Sequence, residues 1–371
     1  MTAPQFPPPT DFPEYNPEDL SGMGVFTKRP DLQGDRPPGL GFEVGRLLLA
    51  LSCVVALVVG GVTGVATAGD PGTRSEPACV PRPKADCRDI KQKDAVYRGD
   101  LRGVKFARAT LPRADFTGTR LDDANFRGAI LKRVIFRGAS LRHADFGPAR
   151  VDGSRPRATP PCAPKCQKAD LSYSDLTNAD LTGADLSWAY LAEANATGAT
   201  MTRAIMAWVE AWGMNMSDAT LVEVNLSAAH VEFANFTRAD LRSAILSVTT
   251  LYAAVLRSAD LTGANVTSAY LGDADLTRAT LKNANFAGAG LQGANLTEAE
   301  MAGVQMNSAN LSGVNLTRAN LTGSNLTGSN LTGANLTSAN LTGAFLTKAT
   351  LKDVTWDNTI CPDGTVTDTG C

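Results

Sequence analysis

Residues 309–343 read ANLSGVNLTRANLTGSNLTGSNLTGANLTSANLTG, seven copies of one five-residue unit. A leucine recurs at every fifth position from Leu311 to Leu341, with Asn before it and Thr or Ser after it. Two residues ahead of each leucine the residue is mostly small, as at Ala309, Ala319, Ser324 and Ala339. Working outward, the spacing runs forward to Trp356 and back, with few lapses, to Leu171. Beyond a break at Asp152–Ala169 it runs from Val151 back through Phe146, Leu141, Phe136, Leu131, Phe126, Leu121, Phe116, Leu111 and Phe106 to Leu101. A period of five fits neither the 3.6 of an amphipathic helix nor the strict 2 of a long strand. Alternate side chains of a short extended segment point the same way, so the central residue and the one two before it share a side. A turn must follow, so that the next segment presents its own pair to the same axis.

Composition agrees with a repeat. A length of 371 residues would suggest two or three ordinary domains, but 6% aromatics argue against one large irregular core, and internal periodicity takes precedence. A net charge of −2 excludes a globally basic nucleic-acid binder. Only two histidines, His143 and His230, are present, without a local His/Cys/Asp cluster. No metal site, cofactor or catalytic residue is expected on that basis.

The A-(D/N)-L-x-x pattern resembles the pentapeptide-repeat family over Leu101 to Trp356, apart from Asp152–Ala169. The resemblance implies an all-β fold, a right-handed quadrilateral parallel β-helix with four units per coil. At about 4.8 Å per coil, the centres from Leu171 to Trp356 would make a rod about 45 Å long. Such a solenoid needs capped ends, and Trp356 with the tail 357–371 suits one of them. Val151 and Leu171 are twenty residues apart. The Pro-rich stretch 152–169 is therefore either a boundary between stacked helices or an excursion that preserves phase. Asn and Asp before the centres read as loop-compatible polar residues, and the Asn-Leu-Thr sequons follow from the repeat itself.

Outside the repeats, 1–46 is Pro-rich and expected to be a disordered tail. Residues 47–66, LLLALSCVVALVVGGVTGVA, contain no charge and are long enough to span a bilayer as a helix. A cleaved signal sequence ending near Ala68 is the competing reading, leaving a secreted product; the long preceding tail favours an uncleaved anchor. Residues 67–98 read as a linker, 99–151 as a basic repeat segment and 170–356 as the main β-helix. Basic residues flank the span about equally, so charge does not orient it. The cysteines do. Apart from Cys53, they form three near neighbours after the span: Cys79 and Cys87, Cys162 and Cys166, Cys361 and Cys371. An even set outside the repeats suggests disulfides and an extracytoplasmic repeat domain; proximity pairs them as written, with other connectivities open.

Charge divides sharply. Residues 82–168 carry 21 Lys and Arg against 9 acidic residues, whereas 169–358 carry 9 against 17. The basic block, with Arg108, Arg113, Arg127, Arg133 and Arg142 at outward positions, is a candidate for anionic lipid headgroups or an acidic envelope polymer, or simply a solvated surface.

If a lap is twenty residues, positions twenty apart stack in columns. Trp188 and Trp208 then share one column; Tyr190, Glu210, His230 and Tyr270 a second; Trp212, Glu232 and Tyr252 a third; Tyr173, Glu193 and Asp273 a fourth. These columns adjoin, so every Trp and Tyr between 171 and 351 falls on one face or its corner. Rings beside carboxylates make a platform for an unidentified protein or glycan, and rings that merely stiffen a less regular region are the alternative. A filled rod offers no water-excluding pocket, so the expected function is non-enzymatic: a membrane-anchored, extracytoplasmic binding or structural module. Some family members are acidic rods that mimic duplex DNA and occupy a type II topoisomerase. That alternative requires a cytoplasmic repeat domain.

Overall fold

The computed structural model of the chain describes residues 79–148 and 168–371. Throughout them one local pattern repeats. With the central apolar residue as position 0, each unit runs from −2 to +2. The −1 residues form single parallel bridges to the units twenty residues away, for example Asp240↔Asp260↔Thr280 and Asn295↔Asn315↔Asn335. Four units therefore complete one lap, and each lap lies directly on the last. This is a four-sided parallel β-helix built from one-residue bridges rather than long strands.

The unit Ala294–Glu298 shows why five residues suffice. Ala294 N–H closes a turn onto the Leu291 carbonyl at 3.0 Å. Asn295 donates to Ala274 in the preceding coil, while Leu296 and Glu298 donate to Asn315 and Thr317 in the next. Thr297 N–H is accepted by the Asn295 side chain at 3.1 Å, and the Thr297 hydroxyl joins it at 2.6 Å. All five amides are thus satisfied. The Asp or Asn before each centre is the acceptor of an Asx turn, a structural role beyond being loop-compatible. The turn places +2 at positive φ, 58° at Glu298 and 68° at Gly333, the pattern of a type II turn.

Inside, positions 0 and −2 are buried almost without exception. In the first coils, Phe106, Phe126 and Phe146 stack 5.0–5.4 Å apart, and Phe116 stacks on Phe136 at 5.0 Å. Rings of the two columns meet edge to face, as Phe126 does with Phe136 at 5.7 Å. Later coils use mainly Leu on all four walls.

The helix starts earlier than Leu101. Asp86, Lys91 and Val96 bridge to Lys105, Thr110 and Asp115, so residues 86–98, expected to be linker, form a first coil. Periodicity concealed it because Cys87 and Gln92 occupy centres, and one residue is missing between Tyr97 and Leu101. Tyr97 is buried, stacks on Phe116 at 4.5 Å and donates its hydroxyl hydrogen to Gln92 Oε1. Burial pushes its phenol pKa up. A Cys79–Cys87 disulfide ties down the incoming chain.

Across the break, Ile130 bridges to Asp170, and Leu131 N–H donates to the Asp170 carbonyl at 2.7 Å. Coils on either side stack directly and in phase, as the excursion alternative requires. At the far end, β1 (Thr359–Ile360) bridges to Asn340 and pairs with β2 (Val366–Thr367). This hairpin, closed by Cys361–Cys371, covers the last coil together with buried Trp356. Cys162 and Cys166, the 1–46 tail and the 47–66 span lie outside the described residues. Among the described residues, no helix is long and apolar enough to cross a membrane.

Two expectations follow. Leu281, fully buried, should cost about 2–5 kcal/mol when replaced by Ala. Ser324→Ala should instead stabilise by about 1 kcal/mol, because the buried Ser324 hydroxyl has no hydrogen-bond partner among the described residues. Urea unfolding of the two variants checks both signs. The second concerns Asp175 and Asp275. Burial disfavours their charge, but the hydrogens of Thr177 and Thr277 and the guanidinium groups of Arg137 and Arg257 outweigh it, holding both carboxyls below the usual aspartate range. A lowered folded pKa gives stability that is complete above the unfolded value and lost as pH falls through the folded one. The urea midpoint should fall below about pH 4. An Asp175→Asn/Asp275→Asn variant, which keeps the Asx acceptor, should show a shallower fall.

A candidate binding face

The four columns singled out by spacing adjoin in the fold. Tyr190, Glu210, His230, Thr250 and Tyr270 form one continuous bridge ladder, the −1 column of the face whose centres run Leu171, Leu191, Ala211, Val231, Leu251 and Leu271. Trp212, Glu232 and Tyr252 stand at +1. Tyr173, Glu193 and Asp273 stand at +2, and Trp188 with Trp208 at +2 of the preceding face.

At the end of this face nearest the break, cations sit on rings. The Arg133 guanidinium lies 5.7 Å from the Tyr173 ring centre. Lys168 Nζ lies 4.7 Å from the Tyr190 ring centre and 5.5 Å from that of Trp188, and pairs with Glu210 at 2.8 Å. Partial burial disfavours the lysine charge, but the Glu210 carboxylate outweighs it and lifts the pKa above the ordinary lysine value. Trp188 stacks on Trp208 at 5.1 Å with a 4° interplanar angle. Farther along, His230 Nδ1 and Glu232 are 3.1 Å apart, and the Thr250 hydroxyl donates to the same carboxylate at 2.6 Å. Tyr252 stacks on Tyr270 at 6.0 Å and meets Phe233 edge to face at 5.7 Å. Trp212 is exposed, as are Glu193 and Asp273, which have no ionic partner among the described residues.

Two participants escaped the sequence reading. Phe233, 60% exposed, belongs to the Tyr173 column, and the twenty-residue spacing contains that signal. Lys168 precedes the resumed register and carries no periodic signal.

Non-Asx residues at −1 occur singly or in short runs elsewhere, as at Thr200, Ile205 and Ile245, but here they fill five successive coils of one column. Tyr190, Glu210, His230, Thr250 and Tyr270 replace the Asx acceptor, so the amides of Ala192, Trp212, Glu232 and Gly272 have no hydrogen-bond acceptor among the described residues. Tyr270 lies across Gly272, where a Cβ would come within 2.7 Å of its hydroxyl. Positive φ is also used differently. Among the described residues, every Phe, Tyr, Trp or β-branched residue at positive φ falls in the two +2 columns bordering this face: Tyr173, Trp188, Trp208, Phe233 and Val248, at 59–65°.

The outward arginines of the basic block named above have partners within the rod. Arg108 pairs with Asp89, Arg113 with Asp94, Arg127 with Asp145 and Arg142 with Asp180, while Arg133 sits over Tyr173. Outward arginines thus knit neighbouring coils together.

The sequence matches the family profile described as Pentapeptide repeats in eight copies, over residues 100–138, 119–155, 169–206, 234–273, 274–313 and 315–353. No curated protein matches the chain. Among solved structures it is similar to HetL, a pentapeptide repeat protein involved in heterocyst differentiation regulation from the cyanobacterium Nostoc. Identity is 27%, covering 75% of this chain and 92% of that one, with a TM-score of 0.34. A pentapeptide repeat protein of the Arabidopsis thaliana thylakoid lumen is 36% identical over 26% of this chain and 71% of its own, with a TM-score of 0.22. QnrB1, a plasmid-mediated fluoroquinolone resistance protein, is 16% identical over 59% and 92%, with a TM-score of 0.26. With the repeat profile covering more than half of the sequence and the four-unit lap running through the described residues, the chain belongs to the pentapeptide-repeat family, whose members form right-handed quadrilateral β-helices.

Proposed function

We propose that this chain is a non-enzymatic, membrane-anchored binding module whose β-helix lies outside the cytoplasm and engages a partner through its aromatic face. The observation that carries the binding reading is where the rings stand. A left-handed backbone favours Gly and costs roughly 1–2 kcal/mol for other L-residues, and bulky or β-branched side chains are outliers there. The coil does not need rings at these positions, since Gly303, Gly313, Gly323, Gly328, Gly333 and Gly343 fill the same position in later coils. Strain of this kind, gathered on one face, supports a functional use of that face.

The interior is filled by side chains and the carboxylates stand on open faces, which supports a binding rather than a catalytic role. The uncharged 47–66 stretch supports an anchor. The Cys79–Cys87 and Cys361–Cys371 disulfides support an oxidising compartment. The excess of acidic residues over 169–358 favours a second reading, in which the rod mimics DNA toward a type II topoisomerase; that reading requires a cytoplasmic rod.

Location separates the two. Intact cells treated with a membrane-impermeant maleimide should show labelled Cys361 and Cys371 by mass spectrometry only after prior reduction. Labelling that needs permeabilised cells and no reductant would reject the extracytoplasmic reading and favour the acidic-rod alternative.

A further inference from the structure

Arginine placement on the other faces sets the expectation for acidic residues. There, several carboxylates on the outer wall receive a guanidinium from a neighbouring coil, Glu223 from Arg203, Asp218 from Arg238, Asp275 from Arg257 and Glu298 from Arg278, while Asp185, Asp260 and Glu300 have no ionic partner among the described residues. On the aromatic face the four columns contain no Lys or Arg from 188 to 273, although Glu193, Glu210, Glu232 and Asp273 stand in them. Among the described residues, Glu210 alone of the four receives a Lys or Arg, from Lys168, while Glu232 faces His230. Glu193 and Asp273 have none among the described residues.

Where the chain does bring cations to this face, it shows how they are held. All the cation–ring contacts among the described residues occur at its first coils, with Arg133 on Tyr173 and Lys168 on Trp188 and Tyr190. Lys168 uses a ring and a carboxylate together, a combination that attracts an ammonium group through the ring quadrupole and by Coulomb attraction at once. The same ingredients continue without a resident cation. Trp212 lies one coil before Glu232 in its column, and its carbonyl accepts the Glu193 amide hydrogen at 3.0 Å. Phe233 and Tyr270 follow, both exposed.

We propose that this face binds a cationic peptide segment of a partner protein, seating Lys or Arg side chains on Trp212, Phe233 and Tyr270 beside Glu193, Glu232 and Asp273. The proposal rests on the binding reading above and names the partner's chemistry. The unmatched amides of Ala192, Trp212, Glu232 and Gly272 favour a peptide over a simple polyamine, because a peptide backbone brings carbonyl acceptors. Charge favours it over a neutral glycan and opposes nucleic acid.

The test uses the purified full-length chain in detergent and follows tryptophan emission. The probes are a decapeptide alternating Lys and Ser, its Glu/Ser counterpart, and cellohexaose as a neutral glycan. The lysine peptide should give a saturable change that weakens with salt, while the other two give none. Trp212→Leu, which keeps apolar area but removes the ring, should weaken binding about tenfold, and Glu193→Gln should weaken it in the same direction. Phe345→Ser, an exposed ring on another face, should bind as the parent does. Thermal melting followed by circular dichroism establishes that each variant is folded. Lysine-peptide binding that survives both Trp212→Leu and Glu193→Gln would overturn the proposal, as would silence toward the lysine peptide. Saturation by cellohexaose alone would overturn it while leaving the binding face itself standing.

Discussion

The structure depends on the backbone hydrogen bonds that each five-residue unit makes to itself and to the coils on either side. One amide closes the local turn, one reaches the preceding coil and two reach the next, and where Asp or Asn stands at −1 its side chain takes the fifth. Leaving a buried amide unpaired costs as much as a lost hydrogen bond, so this distribution locks the lap at twenty residues. A lap of any other length would misalign its bonds with the coil above. The first coil illustrates the tolerance available at an end. It is short by one residue, and its exposed side is closed by Tyr97 and Gln92 rather than by another lap.

Because backbone and interior carry the fold, the outward positions are free to differ from face to face. The stacking that fixes the coils also aligns each outward position into a column, so a side chain repeated at twenty-residue intervals becomes a continuous strip. Arginines and carboxylates use this alignment to pair between coils. Such exposed pairs are individually worth little, and their consistent effect is to cancel charge locally. The basic and acidic halves of the sequence are joined in the same way across the break, by Arg137–Asp175 and Arg142–Asp180.

How much of this was legible depends on which physical quantity the residue encodes. Central and −2 positions are buried in nearly every unit, so apolar periodicity located them from Leu101 to Trp356. The aromatic columns were legible for the same reason, since they follow from the lap length alone. What periodicity could not reveal was substitution at a centre combined with a deletion, which hid the coil through Cys87, Gln92 and Tyr97. Nor could it place Lys168, whose position depends on how the chain returns from the excursion. The Asx role of the −1 residue was missed because a side chain accepting its own neighbour's amide looks, in sequence, like any polar loop residue.

The aromatic face is where three requirements of the fold are relaxed together. Its −1 column lacks the Asx acceptor through five successive coils, its bordering +2 columns hold rings where Gly serves elsewhere, and Glu193 and Asp273 stand without the ionic partner that several carboxylates on other faces have. Each departure alone could be tolerated drift in a long solenoid whose neighbouring coils carry the load. Their coincidence over the same run of coils is harder to attribute to stability, because each one removes a bond or adds strain. Beyond Asp273 the face returns to Gly293, Gly313 and Gly333 at +2, and Asn310 and Asn330 again accept the amides of Ser312 and Thr332. The relaxed stretch is therefore bounded within one continuous scaffold, and the regular coils beyond it hold the register that keeps its rings and carboxylates aligned.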